Sequence, residues 1–199
     1  RIQAGEIGDV KNCWINISQD FPKYRPDYQK TYYARKSMGG GTILDCASHM
    51  IDLLLWVMGD ITEVAAMYDR LALQGVEAED TASMLLRFKN GAIGLININQ
   101  FQKPNESLIE FAGTKGNLLL EGSKLKYAAD DSGNWDSRDF MEGLKPMEAH
   151  EARFSMQANM FLDALEGKEC HLAHQETYSP ALKTALHALH GFQPLHESA

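Results

Sequence analysis

Cysteine is scarce in this sequence. Cys13, Cys46 and Cys170 are the three among 199 residues, far apart and with no Cys-x-x-Cys pair. That excludes a disulfide-framed secreted domain and a zinc ribbon. It fits a reducing compartment, with the thiols used as small core residues, so a cytoplasmic location is expected. Long apolar runs are missing too. The longest, "LLLWVM" at 53–58, falls short of the roughly 20 residues that cross a bilayer, and no membrane partner is expected. Positive charge is in deficit, with a net charge of −8, which argues against nucleic acid or an anionic surface as the main partner. The dinucleotide fingerprint Gly-x-Gly-x-x-Gly is absent, since Gly39, Gly40 and Gly41 do not have its spacing. Internal repeats and low-complexity tracts are also lacking. The first residue is Arg1, and "RIQAGEIGDV" reads as a helix end, a turn and a strand start. A single domain, 1–199, belonging to a longer protein is the expectation.

What is present reads as α+β. Residues 10–17, "VKNCWINI", alternate like a strand and carry Trp, Ile and Val. Residues 18–38 have no sustained period and read as a long ordered loop, a kind that is usually functional. Residues 43–58 form the first strong helix, with Gly59 where a helix end favours glycine. Six short β-type runs follow between 62 and 129, with Asn90-Gly91 as a hairpin signal whose two positions want positive φ. Consecutive hairpins imply a mostly antiparallel sheet, open and with helices on one face. Residues 129–147 read as a polar surface excursion. Phe154, Ala158, Phe161, Leu162 and Leu165 fall at helical spacing before Gly167, and 177–190 form a last amphipathic helix.

The chemistry concentrates in "MGGGTILDCASHMIDLLLWVMGD", residues 38–60. At about 100° per residue, Asp45, His49 and Asp52 lie on one side of the helix. The core set of Cys46, Met50, Leu53, Leu54 and Val57 lies on another. Asp45 and His49 are i, i+4 neighbours, a spacing at which a carboxylate orients an imidazole for general acid–base work. The bland alternative stays open: Thr42 as N-cap and Asp45 at N3 would merely stabilise a helix start, with His49 and Asp52 on a solvated face.

These residues, with "EDTASMLLRFKNGAIGLININ", "IEFAGTKGNLLLEG" and "FLDALEGK…ALKTALHAL", resemble the second domain of the glucose–fructose oxidoreductase / inositol dehydrogenase / MocA family. The resemblance covers almost the whole chain. It implies a sheet domain similar to the C-terminal domain of glyceraldehyde-3-phosphate dehydrogenase. It implies an NAD- or NADP-dependent oxidoreductase of sugars, polyols or their derivatives, with the cofactor bound mainly by a preceding Rossmann domain. His49 then matches the family's acid/base and Asp45 its catalytic partner, the neighbour that also helps bind substrate, while Asp52 matches a structural position. The family's catalytic Lys-Pro has no counterpart here. Lys103-Pro104 and Lys145-Pro146 fall in or after the sheet and read as turns, so the chain alone is expected to be inactive.

The loop "YRPDYQKTYYARKSMGGG" interleaves aromatics and cations that suit a sugar or its charged derivative. Arg35, Tyr33 and Lys36 are the expected substrate-binding residues, against a surface loop with solvated cations. Cys170, His171 and His174, and the pair His187 and His190, are read as ordinary helix-end or surface residues, and no metal is assigned. "MLLRF" and "GLINI" are apolar on both alternating faces, as in a sheet covered twice. One cover would be helices. The other, implied by the family's sheet-to-sheet dimers, would be a second copy in a homodimer or higher assembly. The rival reading is a non-catalytic dimerising scaffold, which would have no need of both Asp45 and His49.

Overall fold

The computed structural model describes residues 1–129, 133–168 and 175–191. Its framework is an eight-stranded open sheet in the order β2-β3-β4-β1-β5-β6-β7-β8. The strands are β1 Val10–Asp20, β2 Ile61–Asp69, β3 Thr81–Phe88, β4 Ile93–Asn99, β5 Phe101–Gly113, β6 Asn117–Glu121, β7 Lys124–Ala128 and β8 Asp136–Asp139. Every pairing is antiparallel except β1 with β4. The first strand thus enters between two later ones, and the α+β, mostly antiparallel expectation holds. The 129–147 region is less irregular than its polarity suggests, because β8 pairs with β7 across it. The hairpin at Asn90-Gly91 also differs from expectation. Only Gly91 has positive φ, at +85°, and Asn90 instead accepts the Ala92 N–H through its side chain at 3.0 Å.

Four helices accompany the sheet: α1 Phe21–Tyr24, α2 Ser48–Met58, α3 Pro146–Leu165 and α4 Gln175–Ala188. A π-turn, Ile43–Ala47, leads into α2. Ile43, Ala47, Ile51, Leu54 and Met58 recur at helical spacing and are buried against Ile15, Met84, Leu86, Ile96 and Ile98 of the sheet. This is the face that holds the helix down, at about 1.5–3 kcal/mol per large side chain. It is offset from the expected set, whose Cys46, Met50, Leu53 and Val57 are only partly buried, because a five-residue turn opens the helix. Ala181, Ala185 and Ala188 of α4 are buried, and such small residues allow close approach to α2. Tyr68 of β2 donates its hydroxyl to the Leu189 carbonyl at 2.7 Å. The segment Lys36–Met58 is long and apolar enough, by composition alone, to cross a membrane. Here its apolar side is the one packed on the sheet.

The opposite sheet face is open. Trp14, Leu95 and Leu85 follow one another across β1, β4 and β3, with Leu85 55% and Met67 67% exposed. Beside them runs a ladder of polar side chains. Ser83 donates to Asn97 at 2.8 Å, Asn97 to Asn16 at 3.1 Å and Asn16 to Glu106 at 2.5 Å.

Candidate functional site

The three glycines before the helix make a tight reversal possible. Gly39 ends the 3-10 turn Lys36–Met38 in the left-handed region, φ +75°. A Cβ on Gly40 would lie 2.3 Å from the Tyr33 carbonyl oxygen, and one on Gly41 2.4 Å from Glu79 Oε1. The close approach that such flexibility invites is made here by the chain's own strand entrance. Glu79, nearly buried, accepts the Ile43 N–H at 3.0 Å, and its carbonyl accepts the Thr42 N–H at 3.0 Å. Burial pushes the Glu79 carboxyl up, only partly offset by the N–H of Ile43, its own N–H and the charge of Lys36. Thr42 makes no side-chain cap. Its hydroxyl instead accepts from the buried Gln100 at 2.9 Å, so the capping alternative for Thr42 does not describe this helix start.

Asp45 lies in the π-turn, half-buried, and His49 lies in the first turn of α2, exposed. Asp45 Oδ1 accepts the Tyr32 hydroxyl, and Oδ2 accepts the Cys46 thiol at 3.4 Å. Among the described residues no hydrogen bond or ion pair engages the His49 ring, so Asp45 does not orient it through a hydrogen bond here. The π-turn separates the two positions from regular i, i+4 geometry. Asp52 is half-buried on the same helix. Around this surface the Tyr32 phenol is pushed up to about 12, by its bond to Asp45 first, then by burial and the carboxylate charge. Burial, with Asp45 beside it, also pushes the Cys46 thiol up to about 12.

Of the loop residues, Arg35 and Lys36 are exposed beside the glycine turn, as a ligand-facing role requires. Tyr33 is not. It is 1% exposed, its ring 4.4 Å from Phe21, inside a small cluster with Phe21, Tyr28, Ala34, Leu73 and Val76. The expectation that Tyr33 faces a ligand is therefore corrected: Tyr33 is a core residue, and it is its neighbour Tyr32 that is exposed, at 49%, and bonded to Asp45. The loop lacks a period, and its 3-10 turns decide which of two adjacent tyrosines turns outward. The Tyr33 hydroxyl is buried without a partner, and burial raises its pKa.

Glu79, Asp80 and Gln100 escape sequence reasoning. Asp80 is fully buried and accepts the N–H groups of Leu71, Ala72 and Leu73 at 2.9, 2.8 and 2.7 Å. Burial opposes its ionisation, but those N–H groups and the Thr81 hydroxyl outweigh it and hold the carboxyl below its ordinary value. Adjacent acids at the start of an apolar strand were the available signal, because such charges are buried only when something specific holds them. Lys103-Pro104 lies within β5 rather than in a turn, with Lys103 3.4 Å from Asp20. Lys145-Pro146 opens α3. Cys170, His171 and His174 lie outside the described residues. His187 bonds the Lys183 carbonyl through Nδ1 at 2.8 Å, and among the described residues no group of three His, Cys, Asp or Glu is placed to hold a metal ion. A cleft of about 420 Å³ lies elsewhere, between β1, β5 and the β6–β7 turn, lined by Gln19, Asn105, Glu106 and Glu121.

The family model described as "GFO/IDH/MocA C-terminal domain" matches residues 1–119. The chain belongs to the GFO/IDH/MocA family. Among curated relatives of this GFO/IDH/MocA chain, an uncharacterized oxidoreductase of Synechocystis is 30% identical over 134 residues, covering 61% of the chain and 35% of the relative. D-apiose dehydrogenase of Rhizobium rhizogenes is 29% identical over 90 residues, covering 42% and 26%. The chain therefore spans about a third or less of the curated relatives it matches. Levoglucosan dehydrogenase, solved with NADH and levoglucosan, superposes with a TM-score of 0.76 at 23% identity, over 94% of this chain and 58% of that one. The WlbA dehydrogenase of Bordetella pertussis, solved with NADH and UDP-GlcNAcA, gives 0.66 at 27% identity, over 98% and 59%.

Proposed function

We propose that this chain is the substrate-handling and self-associating domain of a cytoplasmic NAD- or NADP-dependent oxidoreductase that acts on a sugar, polyol or sugar derivative. The observation that carries the reading is the exposed imidazole of His49, one helical turn along from the half-buried carboxylate of Asp45. Both are displayed on the solvent side of a helix whose other side is core. An exposed imidazole can take a proton from a substrate hydroxyl through a ring nitrogen. Asp45 holds a neighbouring hydroxyl of the substrate as an acceptor, and Arg35 and Lys36 receive a negative group when the substrate carries one. The relatives named for sugars, and those solved with NADH, support this substrate class and cofactor.

The chain has no Gly-x-Gly-x-x-Gly, so its own residues do not fit a dinucleotide site. A bound nicotinamide would supply hydride transfer, and what this domain contributes is the proton step and the grip on substrate. The scaffold alternative is favoured by nothing at this site, because a scaffold does not need an imidazole and a carboxylate presented together.

The test is a turnover panel. The full-length protein, given NAD or NADP with levoglucosan, D-apiose, inositol or UDP-linked sugar acids, is expected to reduce the nicotinamide with at least one of them. The 199-residue chain alone is expected to reduce it with none. Turnover by the isolated chain, or by neither protein, would contradict the proposal.

A further inference from the structure

The Tyr32 phenol has no evident structural duty. The loop around it is held by other groups. Tyr28 donates its hydroxyl to the Gln74 carbonyl at 3.1 Å. The Glu77 N–H reaches the Ala34 carbonyl at 2.7 Å, and the Gly40 N–H the Arg35 carbonyl at 3.0 Å. Tyr33 is buried against Phe21. Yet the Tyr32 ring, half in solvent, delivers its hydroxyl to Asp45 Oδ1. The second carboxylate oxygen faces Cys46. A neutral O–H donating to a carboxylate is the same interaction a sugar hydroxyl makes with that carboxylate.

We propose that Tyr32 is a specificity-setting occupant of the Asp45 subsite: its phenol holds Oδ1 while the site is empty, and a substrate hydroxyl adjacent to the one facing His49 takes its place. The inference rests on the dehydrogenase reading of His49 and Asp45. It narrows the substrate class to a vicinal diol within a sugar or polyol. Replacement exchanges one O–H to carboxylate bond for another, so the phenol weakens binding of every diol it must leave. A substrate without the adjacent hydroxyl cannot displace it and is unaffected by its removal. A phenol is protonated, and therefore a donor, throughout the neutral range, and the bond to Asp45 only raises its pKa further.

The experiment uses the full-length protein and Tyr32→Phe, which keeps the ring and deletes the hydroxyl. KM and kcat are measured on the sugar found to turn over and on its analogue deoxygenated at the carbon next to the oxidised one. Tyr32→Phe is expected to lower KM for the diol about three- to tenfold without lowering kcat, and to leave KM for the deoxy analogue within about twofold. The second readout does not need turnover. With tyrosine carbon-13 labelled at Cζ, the resonance missing from Tyr32→Phe identifies Tyr32, and that resonance is expected to move in Asp45→Asn. An unmoved resonance overturns the proposal whatever the activity. A raised KM with lowered kcat also overturns it, since Tyr32 would then position rather than compete. Equal KM changes on diol and deoxy analogue do the same. Absence of turnover on every sugar overturns the dehydrogenase reading itself and the proposal with it.

Discussion

At the scale of single residues, the turn into the helix that carries the candidate site is specified by what cannot be larger. Gly41 has φ +102° and the Glu79 carboxylate against its missing Cβ, so Gly41→Ala combines backbone strain with a clash. We expect a loss of about 2–4 kcal/mol, read as a fall in thermal midpoint. A loss below about 0.5 kcal/mol, the range of an indifferent surface change, would mean that the reversal is not needed. Asp80 tests the same region through pH. Its folded pKa is lowered, so its stabilisation is present above the ordinary carboxylate value and lost as pH falls through the lowered one. Asp80→Asn is therefore expected to be markedly less stable than the parent in urea at pH 7. The two should converge in acid, and a gap that widened on acidification would contradict the assignment. The buried thiols follow similar logic. Cys13 is held up to about 12 by burial, and Cys46 reaches about the same value. Peptide mapping after iodoacetamide at pH 8 should find both unmodified in the folded protein and both alkylated in urea.

At the scale of elements, periodicity was a good guide wherever tertiary packing respects it. The strands from β1 to β7, the helix at 43–58 and the last helix are legible because alternation and 3.6-residue spacing are what a sheet and a packed helix require. The π-turn at Ile43–Ala47 was not legible. It arises from the Glu79 carboxylate and Gln100 gripping the helix start, contacts made across 36 and 58 residues of chain. That long-range grip moved the buried face of the helix. The aperiodic loop hid which tyrosine faces outward for the same reason, since a pattern cannot speak where no regular element repeats. Ile51, fully buried under α2, gives the element its own test. Ile51→Ala should cost about 2–5 kcal/mol, where an indifferent surface change costs under about 0.5 kcal/mol. Helix α3 departs from its pattern differently. Its spaced apolar stripe lies open, with Phe154, Phe161 and Leu165 more than half exposed.

At the scale of the whole molecule, two apolar surfaces are uncovered among the described residues, the α3 stripe and the open sheet face carrying Met67, Leu85 and Ile93. Exposed apolar faces often mark association surfaces, and the self-association proposed above is tested here. Leu85→Glu places a charge at its middle, and by analytical ultracentrifugation we expect it to convert a self-associating full-length protein into monomers. An unchanged oligomer would put the contact elsewhere. The family and the sheet domain were legible from combined motifs. Of the candidate site, His49 and Asp45 were legible from their spacing, whereas Glu79 and Gln100, which grip the helix start, were not, because they lie far away in sequence. The role of His49 is where the reading stands or falls, and the most direct measurement is kcat for His49→Ala in the full-length protein beside Asp52→Ala. General acid–base work by His49 predicts a fall of about 10²–10⁴-fold for His49→Ala and less than about tenfold for Asp52→Ala. Equal losses, or a His49→Ala enzyme that turns over normally, would contradict it.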